Sequence, residues 1–514
     1  MRMQSLVRPF SKRDATRAVR TAARRVCLID QLEKRLMLAS FTDASPALNL
    51  ALAANDAVGI IANPSTYTFN LTSGTWGGIN DANVTGNGTA TLTVQKAAFN
   101  QVGLTDVGGG ASVTFNDSGI NSYASSFNVA LTNAAAGSIA FNGATSFAGS
   151  SALSASTSDF IVANPLSSIS TNSGGITLSA NQQLTPTSGA FIGININNAT
   201  VQSTTGGAVL KGTGGNTGSN NFGVEIHAGG QVKATGAPTA DISITGSAND
   251  GTSAAIAFAS GKVSTLGYAT LTANGGSITE SADAGPDITA AAGATFTTTG
   301  SHGAIGTSAL PIRTAIGALT ATTNDGGVYI SDSNGPGIII SSILAQEGGF
   351  APVLNNKNQV VVNGIPGTYD VSVTATGPVV LFTAAAVSTT VAAPDAVTIT
   401  STGGSVVEGR AGSINVLAQS VTLTANGSIG VSGGPIGLMV PSFSAATTNG
   451  GIFLVEGIAG SAASIVAGGA GNDVSVTGSG ATLGIGTITA PDSVTLQESV
   501  GSLVSAASMN VTGQ

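Results

Sequence analysis

The sequence predicts an all-β chain, an elongated right-handed parallel β-helix (β-solenoid) behind a short basic N-terminal leader. Three observations predict it. A single unit is written three times between Gly174 and Leu271. Each copy holds three short runs in which apolar residues alternate with polar ones, separated by Gly, Asn, Ser and Thr, with no helical period. The chain carries 71 Gly and only 8% charged residues, yet 42% are hydrophobic, mainly Ala, Val, Ile and Leu; a disordered chain would invert that balance.

The first copy runs Gly174-Gly175-Ile176-Thr177-Leu178, then Gly193-Ile194-Asn195-Ile196, then Ala199-Thr200-Val201-Gln202-Ser203. The second restarts at Gly207-Ala208-Val209-Leu210 and continues through Gly223-Val224-Glu225-Ile226 and Gln231-Val232-Lys233. The third holds Asp241-Ile242-Ser243-Ile244, Ala255-Ile256-Ala257-Phe258 and Lys262-Val263-Ser264. Self-similarity of this period marks a solenoid. One unit buries about six aliphatic side chains at roughly 1.5–3 kcal/mol each, whereas ordering its backbone costs about 1–2 kcal/mol per residue. A lone unit is therefore unstable, and stacked units share a core and satisfy one another's strand edges. The paired glycines before the first strand fit a corner needing positive φ or close backbone approach. Gly212 to Asn221 and Gly246 to Ser253 read as longer loops leaving that corner.

Alternation beside those glycines places Ile176, Leu178, Val209, Ile242, Ile244, Val328, Ile330, Ile452 and Leu454 inward, and Thr177 and Ser243 outward. In the second copy Ala208 and Leu210 can equally take the inward phase in place of Val209. Handedness follows from the general rule for parallel crossovers.

The chain divides into a basic leader over residues 1–45, disordered or helical; an irregular β region over 46–165; and the repeats over 166–514. Residues 1–40 hold 10 of the 17 Lys and Arg but only 3 of the 25 acids, which leaves the remainder with a net charge of −15. A body so acidic and poor in aromatics excludes nucleic acid as a partner. No apolar run is long enough for a transmembrane helix. The sole cysteine, Cys27, lies in the leader, so stacking rather than disulfides must stabilise the body.

Residues 46–165 hold Thr66-Tyr67-Thr68-Phe69-Asn70-Leu71, Ala90 to Val94, Ser112-Val113-Thr114-Phe115 and Ser138-Ile139-Ala140-Phe141, together with the only Trp, Trp76. Large side chains here fit an end cap that closes the core against water, or else a separate small β-domain. Beyond Leu271 the repeat loosens and a longer one appears: residues 304–332 align without a gap to 428–456, so Ile305-Gly306 matches Ile429-Gly430 and Gly326-Gly327-Val328-Tyr329-Ile330 parallels Gly450-Gly451-Ile452-Phe453-Leu454. Phe350 to Gly367 reads as an inserted loop. The strand pattern still runs at Met509-Asn510-Val511, so the expectation is a fragment or an open edge.

Leu32-Glu33-Lys34-Arg35-Leu36-Met37-Leu38 resembles the LEPR-XLL motif found near the N-terminus of large exported proteins of planctomycete bacteria. Leu32, Glu33, Arg35 and Leu38 match, while Lys34 stands for the usual Pro and Met37 for a Leu. The body resembles the filamentous-haemagglutinin-like β-helical repeats of bacterial surface proteins. These resemblances imply an extracytoplasmic location, cell-surface or secreted, and no defined biochemical activity.

Three stretches invite a chemical reading. Ser301-His302-Gly303-Ala304-Ile305-Gly306 is similar to the histidine motif of polygalacturonases, whose chemistry needs paired carboxylates; no adjacent Asp pair or Asp-x-Asp occurs, and the acids read as scattered. Gly468-Gly469-Ala470-Gly471-Asn472-Asp473 resembles one calcium nonapeptide, but such sites need tandem copies, and a plain turn is the reading. Glu225 and His227 flank Ile226 and share an outward face, and with two His and one Cys in the chain no His/Cys metal cluster forms. No catalytic, cofactor-binding or metal residue is assigned, and no cofactor is expected. The function expected is a non-catalytic exported structural or adhesive surface solenoid, with glycans or other cell-surface proteins as partners and self-association open to it. The alternative is a β-helical polysaccharide-active enzyme, a lyase or hydrolase, which would show two carboxylates with a Lys or Arg in a groove.

Overall fold

The computed structural model describes residues 39–133, 137–281, 285–347, 353–354, 360–361, 369–382, 389–410, 414–470, 472–480 and 482–512. Residues 1–38 of the leader, with the motif at Leu32 to Leu38 and Cys27, therefore lie outside the described residues, while its last residues, Ser40–Ala44, form a β-strand rather than a disordered or helical stretch. Among those described are 48 strands and one three-residue 3-10 helix. The strands form three long sheets of 20, 11 and 15 strands, here called the first, second and third faces. The chain visits them in turn: Leu153–Thr157 on the first face, Phe160–Ala163 on the second, Ser168–Thr171 on the third, then Ile176–Ala180 on the first again, paired in parallel with Leu153–Thr157. This is a parallel β-helix.

Register explains the core. On the first face Leu178, Leu210, Ile244, Leu271, Phe296 and Ala321 sit opposite one another on successive rungs, all buried. The neighbouring outward ladder is Thr177, Val209, Ser243, Thr270, Thr295 and Thr320. The inward placements of Ile176, Leu178, Ile242, Ile244, Val328, Ile330, Ile452 and Leu454 agree with this arrangement. Val209 does not: it faces out, while Ala208 and Leu210 are buried. The cause is the pairing of Ile176 with Ala208 and of Leu178 with Leu210, which sets the second copy one position away from a Val209-inward phase. At the Gly174 corner close approach is the requirement, since a Cβ there would fall on the Ser151 carbonyl.

The N-terminal end is built differently. Ser40–Ala44 pairs antiparallel with Ala47–Leu52, and Ala57–Ala62, Thr66–Leu71 and Thr91–Gln95 form an antiparallel meander. Beneath it Tyr67, Phe69, Trp76, Phe115, Tyr123 and Phe127 are fully buried. Tyr67 stacks on Tyr123 with ring centroids 5.4 Å apart, and Phe115 on Phe141 at 4.8 Å. Parallel pairing starts where Ala47–Leu52 meets Gln101–Asp106 and continues through residues 153–180.

The second face's sheet ends at Ile278–Glu280, and that face continues as single bridges, Ile278 to Ile305 to Val328. The same bridge recurs from Ile429 to Ile452. Gly306 and Gly430 both hold φ +67°, and a Cβ on either would meet the carbonyl of Tyr329 or Phe453 respectively. The 124-residue repeat is thus a recurring rung junction. Within Phe350 to Gly367, Val353–Leu354 and Val360–Val361 pair antiparallel; the remaining residues of that predicted loop lie outside the described residues.

Candidate functional site

The three stretches singled out in the sequence occupy corners and strand surfaces. His302 is exposed at a corner with φ +61°; its backbone N–H donates to Asp325 Oδ2 at 2.9 Å and its carbonyl accepts from Ser277 Oγ at 3.1 Å. Glu225 and His227 do share an outward face. His227 Nε2 lies 3.9 Å from Glu225 Oε2 and 2.9 Å from Asn195 Oδ1 of the preceding rung, and burial raises the Glu225 pKa. At the nonapeptide-like turn Asn472 Nδ2 donates back to the Gly469 carbonyl at 3.0 Å, and Asp473 Oδ1 accepts from Ser493 Oγ at 2.6 Å; Gly471 lies outside the described residues. Among the described residues no three His, Cys, Asp or Glu side chains come together as a metal site would require. No helix among them is long and apolar enough to cross a membrane.

One expectation is overturned. The acids are not all scattered, because the solenoid brings Glu280 and Asp287 together against Arg313. Alternation along Ile278–Glu280 turns Glu280 inward, directly beneath Phe258 of the previous rung. The corner returns Asp287 to the head of Ile288–Ala290, and Arg313 lies on Ile312–Ile316. The Arg313 N–H donates to Asp287 Oδ2 at 3.0 Å and to Glu280 Oε2 at 3.2 Å. Its guanidinium Nη2 pairs with Glu280 Oε1 and lies 3.8 Å from Asp287 Oδ1. Burial, reinforced by the adjoining Glu280 carboxyl, pushes Asp287 up to about 9. Asp287 thus keeps its proton, lying beside the Glu280 carboxyl and one cation. Side-chain exposure is 1% for Asp287 and 2% for Glu280, so the pair faces the interior rather than a groove. Seven positions of sequence separation hid the contact.

Glu456 was also missed. It is fully buried at the inward end of Ile452–Glu456, its Oε1 accepting from the N–H groups of Val440 and Ile458 at 3.2 Å each, and burial pushes it up to about 8. The signal was present, since the alternation that buries Ile452 and Leu454 reaches Glu456 next.

Among the described residues, two grooves on the exterior of the first face stand out. The larger, about 430 Å³, crosses five rungs from Ala47–Leu52 to Ile176–Ala180 and is lined by uncharged residues throughout. Asn49, Gln101, Gly103, Asn128, Ser154 and Thr177 present its outward groups. The smaller, about 260 Å³, lies near the other end of the same face, where Phe453, Ser475 and Thr477 adjoin a single carboxylate, Asp473. A volume of 430 Å³ lies in the range of small-ligand sites. No family model matches the chain, and no curated protein or solved structure matches it significantly.

Proposed function

We propose that this chain is an exported, non-catalytic structural or adhesive surface protein, contacting glycans or other surface proteins along its length. The carrying observation is that neither of the two grooves described above brings two carboxylates together, while the Glu280–Asp287 pair is closed beneath the surface and clamped by Arg313. Glycoside hydrolysis needs two carboxylic groups flanking a bond that the substrate can present. Glu280 and Asp287 are buried, and Asp43 and Asp81, which adjoin at the surface, line neither groove. A stacked solenoid yields extended surface, which suits weak contacts summed by avidity. The basic leader and its resemblance to exported proteins support the extracytoplasmic location.

The test is incubation of the purified chain with acidic and neutral polysaccharides, with and without calcium, followed by assay of new reducing or unsaturated ends. The expected result is no cleavage of any polymer. Cleavage that disappears in Asp287→Asn or Glu280→Gln would overturn the reading in favour of an enzyme.

A further inference from the structure

Asparagines recur up the solenoid, and at three places those on adjacent rungs bind one another. Asn142 Nδ2 donates to Asn116 Oδ1 at 2.9 Å, Asn164 Nδ2 to Asn142 Oδ1 at 2.6 Å, and Asn449 Nδ2 to Asn426 Oδ1 at 3.2 Å. The larger groove lacks such a ladder. Asn49 pairs in register with Gly103, and Gly103 with Asn128, so a glycine occupies the middle rung of what would otherwise be a third asparagine ladder. The two asparagines stand two rungs apart, about 10 Å, which is beyond each other's reach. Neither side-chain amide, nor that of Gln101 beside Gly103, has a hydrogen-bond partner among the described residues. The Asn49 carbonyl oxygen leans over the gap, 3.2 Å from where a Cβ on Gly103 would stand.

We infer that this notch is a binding site for an uncharged polysaccharide, its chain lying along the solenoid axis with one sugar residue over Gly103 between Asn49 and Asn128. The inference rests on the adhesive reading and gives it a place and a ligand class. Gly103 supplies a floor with no side chain. The amides of Asn49 and Asn128 each offer two donors and one acceptor oxygen at opposite sides of the gap, the set that a ring bearing several hydroxyls satisfies. Gln101 extends the amides along the same rung, and Ser154 and Thr177 continue hydroxyl groups up the axis. The lining has no charged side chain to pair with a uronate or sulfate, and desolvating either without a partner is unfavourable. Five rungs give the groove about 19 Å of length along the axis, which fits a polymer segment better than a free monosaccharide.

The site can be closed without harming the fold. Gly103 is not in the left-handed region, and its nearest obstacle is the mobile end of Asn49, so Gly103→Asn should complete the ladder from Asn49 to Asn128 and fill the notch. The experiment is affinity electrophoresis of the full chain through gels containing dextran, glucomannan, galactan or arabinoxylan, beside gels containing alginate or polygalacturonate. Expected are retardation by at least one neutral polymer, little changed by salt, and its loss in Gly103→Asn with an unchanged melting temperature. Asn49→Ala and Asn128→Ala should each weaken binding by about tenfold; they serve as the second test should Gly103→Asn fold poorly. Retardation equal in the wild type and all three variants would overturn the site while leaving adhesion through another face intact. Retardation by anionic polymers alone, or by none, would overturn the ligand assignment. Cleavage of the polymer would instead bring down the non-catalytic reading on which the inference stands.

Discussion

Ile244 is fully buried between Leu210 and Leu271, whereas Ser243, one position earlier, faces out between Val209 and Thr270. Replacing Ile244 by Asp puts an unpaired carboxylate in the core and is expected to cost about 3 kcal/mol or more. Replacing Ser243 by Asp should change stability by less than about 0.5 kcal/mol. Urea denaturation followed by circular dichroism checks the order, and a larger loss for Ser243→Asp would mean the register is off by one. Single residues were legible in the sequence wherever large aliphatics alternated cleanly with Thr or Ser, as at Ile176-Thr177-Leu178. They were illegible at Ala208-Val209-Leu210, where three apolar residues in a row remove the contrast and only pairing with the neighbouring rung decides. Glu456 shows the converse case. Its side chain argues for an exposed position, and the phase set by Ile452 and Leu454 overrides that preference.

At the level of strands and corners, the Glu280–Asp287–Arg313 cluster couples stability to pH. Asp287 keeps its proton in the folded state up to about 9, but would lose it near 4 once unfolded. The folded chain therefore binds the extra proton between those values, so the cluster's contribution falls as pH rises from about 4 towards 9. Asp287→Asn holds the site neutral at every pH and should flatten that decline, as read from denaturation midpoints of variant and wild type across pH 5–9. Comparing the two isolates this slope from that of Glu456, which has the same sign and is present in both. Arg313→Ala should destabilise by about 3 kcal/mol, because it leaves two buried carboxyls without their cation. A variant Asp287→Asn as pH-dependent as the wild type would contradict a protonated, buried Asp287. Corners were the least readable elements, since they depend on contacts between turns. The Gly-Gly punctuation announced a corner, but not that Gly174 is needed for its closeness to the Ser151 carbonyl.

For the whole molecule, period-2 patterning and the triple repeat were enough to foresee a parallel solenoid, because a unit too small to fold alone has one economical way to bury its apolar face. The antiparallel meander over the N-terminal end was foreshadowed only by its large aromatic side chains. The grooves were not foreseeable, since each gathers residues from several rungs dozens of positions apart. The parallel stack itself makes the most demanding prediction. Ser154, Thr177, Val209, Ser243, Thr270, Thr295 and Thr320 stand in one outward ladder, a single rung apart at each step. Spin labels on cysteines introduced at pairs of these positions, in a Cys27→Ser background, measure the stack directly by pulsed dipolar spectroscopy. Ser154→Cys with Thr270→Cys should lie about 19 Å apart, and Ser154→Cys with Thr320→Cys about 29 Å, growing by about 4.8 Å per rung. Distances that fail to grow with rung number, or a 154–320 separation no larger than the 154–270 one, would contradict the solenoid.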